Sequence, residues 1–273
     1  NLVSTVVGLP GFLNCARHTS ENIWVPGALG VDENGIVYTY ASGAVLAIDS
    51  FTEQIYSVAG LSNAFGETSD GELAFGNPLN VNALGWSSLA VNGRGDILVT
   101  EEDRLRKIDA DTGLLSTVAN GLFTAITFGS DGLLYAYRKE TVLGPEPGDF
   151  MAIDIETGAT SKLVSGGNAD IIFGEAAEGK NFGWVWDLAV DRDGTIYFTH
   201  SQDDQLYRID GATGTLDVQP GISRIQSFFL NQQERQIYYV IQGDIIRNDL
   251  DSNQSFRVGG LGTDLFSSNA QEA

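Results

Sequence analysis

SLAVNGRGDILVTEEDRLRKIDADTGLLSTVAN, residues 88–120, is a small antiparallel sheet written in one line. SLAV is a short apolar run, NGRGD a Gly-rich turn, and ILVT an alternating, β-branched run. EED is a polar loop, RLRKID alternates again, DADTG is a second tight turn, and LLSTVA closes the set. Period-2 runs of this length, separated by Gly, Asp and Asn turns, predict four strands joined by hairpins.

The rest of the chain repeats this unit. First strands recur at Ala28–Val31, Ser88–Val91, Ala125–Phe128, Asp187–Val190 and Ser227–Leu230. Second strands follow as IVYTY, ILVTE, LLYAY, IYFTH and IYYVI, and third strands as AVLAID, RLRKID, FMAID, QLYRID and DIIRNDL. Asp109, Asp154 and Asp210 open the third-to-fourth turns, because the carboxylate bonds amides two residues on. Gly113, Gly158 and Gly214 close them, where positive φ is wanted. Five complete four-stranded units result. A lone sheet of this size cannot bury both faces, whereas sheets stacked face to face around an axis can, which predicts an all-β protein, a β-propeller of four-stranded antiparallel blades.

Leu2–Gly8, LVSTVVG, matches the fourth strand LLSTVAN and has no partners before it. The expectation is five complete blades plus an N-terminal outer strand on a six-bladed plan, with five blades as the alternative, in one domain spanning 1–273. The long irregular segments, 9–27, 61–87, 138–149 and 167–186, are expected on the face that carries the fourth-to-first and second-to-third connections. Rigid scaffolds carry function on such loops.

Asp plus Glu number 36 against 15 Lys plus Arg, a formal net charge of −21. Such a field repels phosphate backbones and anionic membrane surfaces, so nucleic acid and membrane insertion are not expected. No apolar run approaches the roughly 18 residues of a membrane span. The opening NLVSTVVG reads as a strand rather than a signal peptide. With one cysteine, Cys15, no internal disulfide can form. Both a cytosolic and an exported bacterial setting accommodate that, and oligomeric state is open.

The chain resembles the NHL-repeat family. The carriers are the first strands in ALGVDENG, SLAVNGRG and DLAVDRDG, the RLRKID strand, STVAN, and the insertion NAFGETSDGELAFGNPLN at 63–80. The resemblance covers nearly the whole chain and implies the propeller fold. It leaves activity open, since the family includes enzymes, RNA binders and protein-binding scaffolds. In its enzymatic relatives, metal-dependent lyases and hydrolases, His or carboxylate ligands stand two residues before the first apolar residue of the innermost strand. Those positions here are Gly27, Ser87, Thr124, Trp186 and Gln226, none of them a His or a carboxylate. Only His18 and His200 exist, so a three-histidine zinc site is impossible.

The candidate residues follow. Asp187 is the one charge in the next row, Ala28, Ser88, Ala125, Asp187 and Ser227, and is the candidate ligand for a cation. The second strands end at Tyr40, Glu101, Tyr137, His200 and Ile241, where the resemblance implies Asp. With Arg138 these suggest a binding floor, or an acid/base pair in Glu101 and His200. Trp24, Trp86, Trp184 and Trp186 all precede innermost strands, and Phe65, Phe75, Phe173 and Phe182 share the same insertions. They pack the loops down or form an aromatic surface. Arg94-Gly95-Asp96 spells an integrin-type tripeptide where a hairpin is needed anyway. The basic cluster Arg104, Arg106 and Lys107 is too small to offset the acidic field.

The reading is a non-catalytic binding scaffold, extracellular or periplasmic. It presents its loop-bearing face, with Tyr40, Glu101, Tyr137, Arg138, Asp187, His200, Trp86 and Trp186, to a protein or glycan, and uses no cofactor. The alternative is a calcium-assisted hydrolase or lyase with Asp187 on the ion and Glu101 and His200 as the acid/base pair; calcium suits oxygen ligands.

Overall fold

The computed structural model describes residues 29–259 apart from 33, 42, 50, 53, 62–63, 81–87, 141–145, 201–202, 224, 226 and 242–243. The expected N-terminal strand at Leu2–Gly8 lies outside the described residues, and so do Trp24, Trp86, Gly27, Ser87 and Gln226. The described residues form five four-stranded antiparallel sheets and no helix. The first holds Leu29–Val31 (β1), Ile36–Ala41 (β2), Ala44–Asp49 (β3) and Gln54–Gly60 (β4). The second holds Leu89–Val91 (β5), Ile97–Thr100 (β6), Arg104–Ile108 (β7) and Leu115–Asn120 (β8). The third holds Leu122–Phe128 (β9), Leu134–Lys139 (β10), Gly148–Ile153 (β11) and Thr160–Val164 (β12). The fourth holds Val185–Val190 (β13), Ile196–His200 (β14), Asp203–Ile209 (β15) and Leu216–Ser223 (β16). The fifth holds Phe228–Asn231 (β17), Gln236–Ile241 (β18), Asp244–Asp249 (β19) and Gln254–Gly259 (β20). Strands neighbour one another in chain order in every sheet, as propeller blades do.

The described chain divides into two compact units, one running up to Ile126 with residues 154–159, the other holding the remainder. In the first unit the sheets β1–β4 and β5–β8 share one core, with Tyr40, Val45 and Ala59 against Leu89, Ile97, Val99 and Ile108. Gly30 permits that approach, since a Cβ there would stand 2.7 Å from the Leu89 side chain. In the second unit Ala189, Tyr197 and Leu206 of the fourth sheet pack on Phe228, Leu230, Ile237, Tyr239 and Ile246 of the fifth.

Pairing register corrects the second-strand row. Equivalent turn-closing bonds run from Asp32 N to Ile36 O, Asn92 N to Asp96 O, Gly129 N to Leu133 O and Asp191 N to Thr195 O. Ile36 and Leu133 therefore end their turns, although their apolar side chains read as strand starts. The row that contains Glu101 and His200 is completed by Ala41, Arg138 and Ile241. Tyr40 and Tyr137 stand one residue earlier, beside Thr100, Thr199 and Val240. A shift of one residue in a strand turns a side chain to the opposite face.

The insertion 64–80 also departs from expectation. It does not stay with the second-to-third connections but reaches the β7–β8 turn, where Leu73 bridges to Leu114. Its Ala74 and Leu79 belong to the core of the first unit.

Candidate functional site

Glu101 is fully enclosed. Its carboxylate accepts hydrogen bonds from Arg104 Nε at 2.7 Å, Arg106 at 3.1 Å and the Asn80 amide at 3.1 Å. Arg106, itself completely buried, donates twice more to the Thr68 carbonyl at 3.1 and 3.0 Å and meets Asp70 at 3.1 Å. A buried charge persists only when paired, and here two cations and three acceptors close the account. This network ties the insertion to the outer half of the second sheet.

His200 lies buried in the second unit. Its ring centroid is 4.5 Å from that of Tyr207, and its Nε2 is 3.9 Å from Asp203. Burial pushes the imidazole below its ordinary range, against the pull of Asp203. Tyr207 donates its hydroxyl to Asp203 at 2.5 Å and faces Phe173 of the 167–183 insertion at 5.8 Å.

The two insertions are backbone copies. Gly71 N bonds Leu115 O at 2.8 Å, Leu115 N bonds Glu72 O at 2.8 Å, and Ala74 N bonds Gly113 O at 2.9 Å. Gly174 N bonds Leu216 O at 2.9 Å, Leu216 N bonds Glu175 O at 2.7 Å, and Ala177 N bonds Gly214 O at 2.9 Å. The sequence signal is G-E-x-A-x-G, as Gly71-Glu72-Leu73-Ala74-Phe75-Gly76 and Gly174-Glu175-Ala176-Ala177-Glu178-Gly179. The four glycines have φ of 84°, 77°, 79° and 79°, which side-chain-bearing residues avoid. Asp70, Glu101 and Arg106 thereby correspond to Phe173, His200 and Tyr207. One insertion is clamped by charge, the other by rings.

Asp187 sits at a register shift in β13, next to the exposed Trp186. Its carboxylate accepts from the Leu188 amide at 2.9 Å, Ser227 Oγ at 2.8 Å and the Phe228 amide at 2.9 Å. Desolvation raises its pKa, and those three donors oppose the rise. Ser88 does the same in the first unit, accepting the Ile126 amide at 3.1 Å. Both side chains satisfy an inner-strand amide of the following sheet, which would otherwise be left unpaired. Among the described residues no three His, Cys, Asp or Glu converge on a point that a metal ion would occupy.

The remaining candidates separate by exposure. Tyr40 and Tyr137 are buried, and burial raises both phenols. Tyr137 donates to the Gly183 carbonyl at 3.1 Å and accepts the Gly148 amide at 3.0 Å. Arg138 is half-buried, 3.9 Å from Asp149. Asp96 of the Arg94-Gly95-Asp96 tripeptide is buried and accepts from Asn92 and Ala110, as hairpin chemistry requires.

What stands open in the first unit is the outer side of its insertion. Leu73 and Phe75 alternate with the buried Ala74 and are both more than half exposed. Leu114, the bridge partner of Leu73, continues the strip. Exposed Glu67, Asp70, Glu72 and Asp111 lie on the same segment and turn. Phe75 was legible in the sequence as an insertion aromatic, whereas Leu73 and Leu114 emerge only from the bridge.

No family model matches the chain. No curated protein matches it in sequence. Among solved structures, a chain of the nidogen/laminin complex aligns with a TM-score of 0.58 at 13% identity, over 84% of this chain and 77% of that one. The selenomethionine-substituted virginiamycin B lyase from Staphylococcus aureus aligns at 0.51 and 14% identity, over 88% and 71%. At such identities the likeness is one of fold, and the fold that this chain shares with them is the β-propeller.

Proposed function

We propose that this protein is a binding scaffold that captures a protein partner through the Leu73–Phe75–Leu114 strip. The observation that carries the reading is the difference between the two insertions. They share backbone bonds, yet the second has Ala176, Glu178 and Thr215 where the first has Leu73, Phe75 and Leu114. The fold is thus built equally well without apolar residues at these points, and exposing three of them costs solubility unless something covers them. The acidic rim and the net charge of −21 favour a basic segment with apolar anchors. The nidogen/laminin likeness supports a propeller in this role. The reading places the protein outside the cytoplasm, and no cofactor enters it.

The test exchanges the strip for its counterpart, as Leu73→Ala, Phe75→Glu and Leu114→Thr together. A displayed peptide library selected on the native chain is expected to yield basic, apolar sequences. Their binding should fall at least about tenfold on the exchanged chain, roughly 1.4 kcal/mol, with the melting temperature held. Peptides that bind both chains equally would end the proposal.

A further inference from the structure

The fifth sheet packs only one face within the second unit. Phe228, Leu230, Ile237, Tyr239 and Ile246 lie on the fourth sheet, and strand alternation sends Phe229, Val240 and Ile245 to the other side. These three are 62%, 59% and 38% exposed. By pairing register their counterparts in the fourth sheet are Ala189, Thr199 and Leu206, all buried. The strip continues through Tyr238, whose ring lies 6.3 Å from Phe229, to Arg247, which stands 5.1 Å over the Phe256 ring. Arg247 Nε is buried with no acceptor among the described residues.

Within each unit such a face is covered in one way, by the opposite face of the following sheet. The first unit leaves that complementary face open at its inner strand. Leu29 and Val31 are 64% and 53% exposed, although Leu89, Leu188 and Val190 at equivalent positions are buried. Each copy of the chain therefore carries both halves of the sheet-on-sheet contact that it uses internally.

We propose that the open face of β17–β20 is a self-association surface that receives the β1–β4 face of a second copy of this chain. The apolar strip supplies the burial, and Arg247 offers a cation to a partner surface that is strongly acidic. The contact is heterologous, so each copy keeps one face free for another. Because every copy carries −21, mutual repulsion opposes assembly, and added salt relieves it.

Sedimentation velocity of the full chain tests this, between about 1 and 100 µM and between about 0.05 and 0.5 M salt. Association is expected to grow with concentration and with salt. Val240→Asp and Leu29→Asp, both at exposed sites, should each weaken it at least about tenfold. Mixed together, the two variants should form a one-to-one pair and stop, since each retains the half that the other lacks. A native chain that stays monomeric throughout overturns the proposal. So does association that both variants leave unchanged, or a mixture that behaves as its separate parts.

Discussion

His200 is a buried base kept neutral by its surroundings. Phe198 and Tyr207 crowd the ring, and burial outweighs the attraction of Asp203. The unfolded chain takes a proton near pH ~6.5, whereas the folded chain does so only at lower pH. Stability from this residue is thus fully present above about pH 6.5 and is lost as pH falls through that value toward the folded pKa. The slope is at most about 1.4 kcal/mol per pH unit. His200→Phe keeps the ring contacts and removes the titration. Urea unfolding at pH 7 and pH 5.5 is expected to show the native chain losing about 1 kcal/mol more than the variant. Equal losses would mean that the imidazole is hydrated in the folded state. Glu101 holds the same register position with the opposite chemistry, a full charge held by Arg104 and Arg106.

At the scale of elements, the two insertions show what is required and what is free. Backbone bonds to the start of the outer strand, two left-handed glycines and one buried alanine recur in both. The clamp between insertion and sheet is free to be ionic or aromatic, provided that every buried polar atom is satisfied. Arg106→Tyr in the first insertion leaves Glu101 short of a donor and strips the Thr68 carbonyl of both its Arg106 bonds. A loss of about 3–5 kcal/mol is expected from chemical denaturation. Adding Glu101→His and Asp70→Phe installs the other clamp, and the triple variant should recover more than half of that loss. Additive losses would instead show that the two clamps are not interchangeable.

For the whole molecule, charge sets the range of partners. A chain at −21 gains nothing from releasing counterions at a phosphate backbone. Its one dense basic cluster is spent internally, with Arg104 and Arg106 on Glu101 and Lys107 3.9 Å from both Asp109 and Glu156. RNA and DNA binding should therefore be undetectable by fluorescence anisotropy at about 150 mM salt. Micromolar, sequence-selective binding there would contradict this account.

The repeats were legible because a hairpin is local. Alternation within Ile97–Thr100 and Arg104–Ile108, and Asp109 and Gly113 at the ends of one turn, specify their strands without reference to distant residues. Side-chain fate was legible only as far as period and turn length agreed. Ile36 and Leu133 look like strand but close turns, so Tyr40 and Tyr137 fall on the opposite face from Glu101 and His200. Burial at those positions was decided by the tertiary structure, since it depends on what an insertion tens of residues away lays over them. Thr68 and Asp70 reach Arg106, and Phe173 reaches Tyr207, through contacts that no local pattern encodes. The same packing decides that Leu73 and Phe75 stay outside, because the buried Ala74 between them holds the segment with one side turned to the core and the other to solvent.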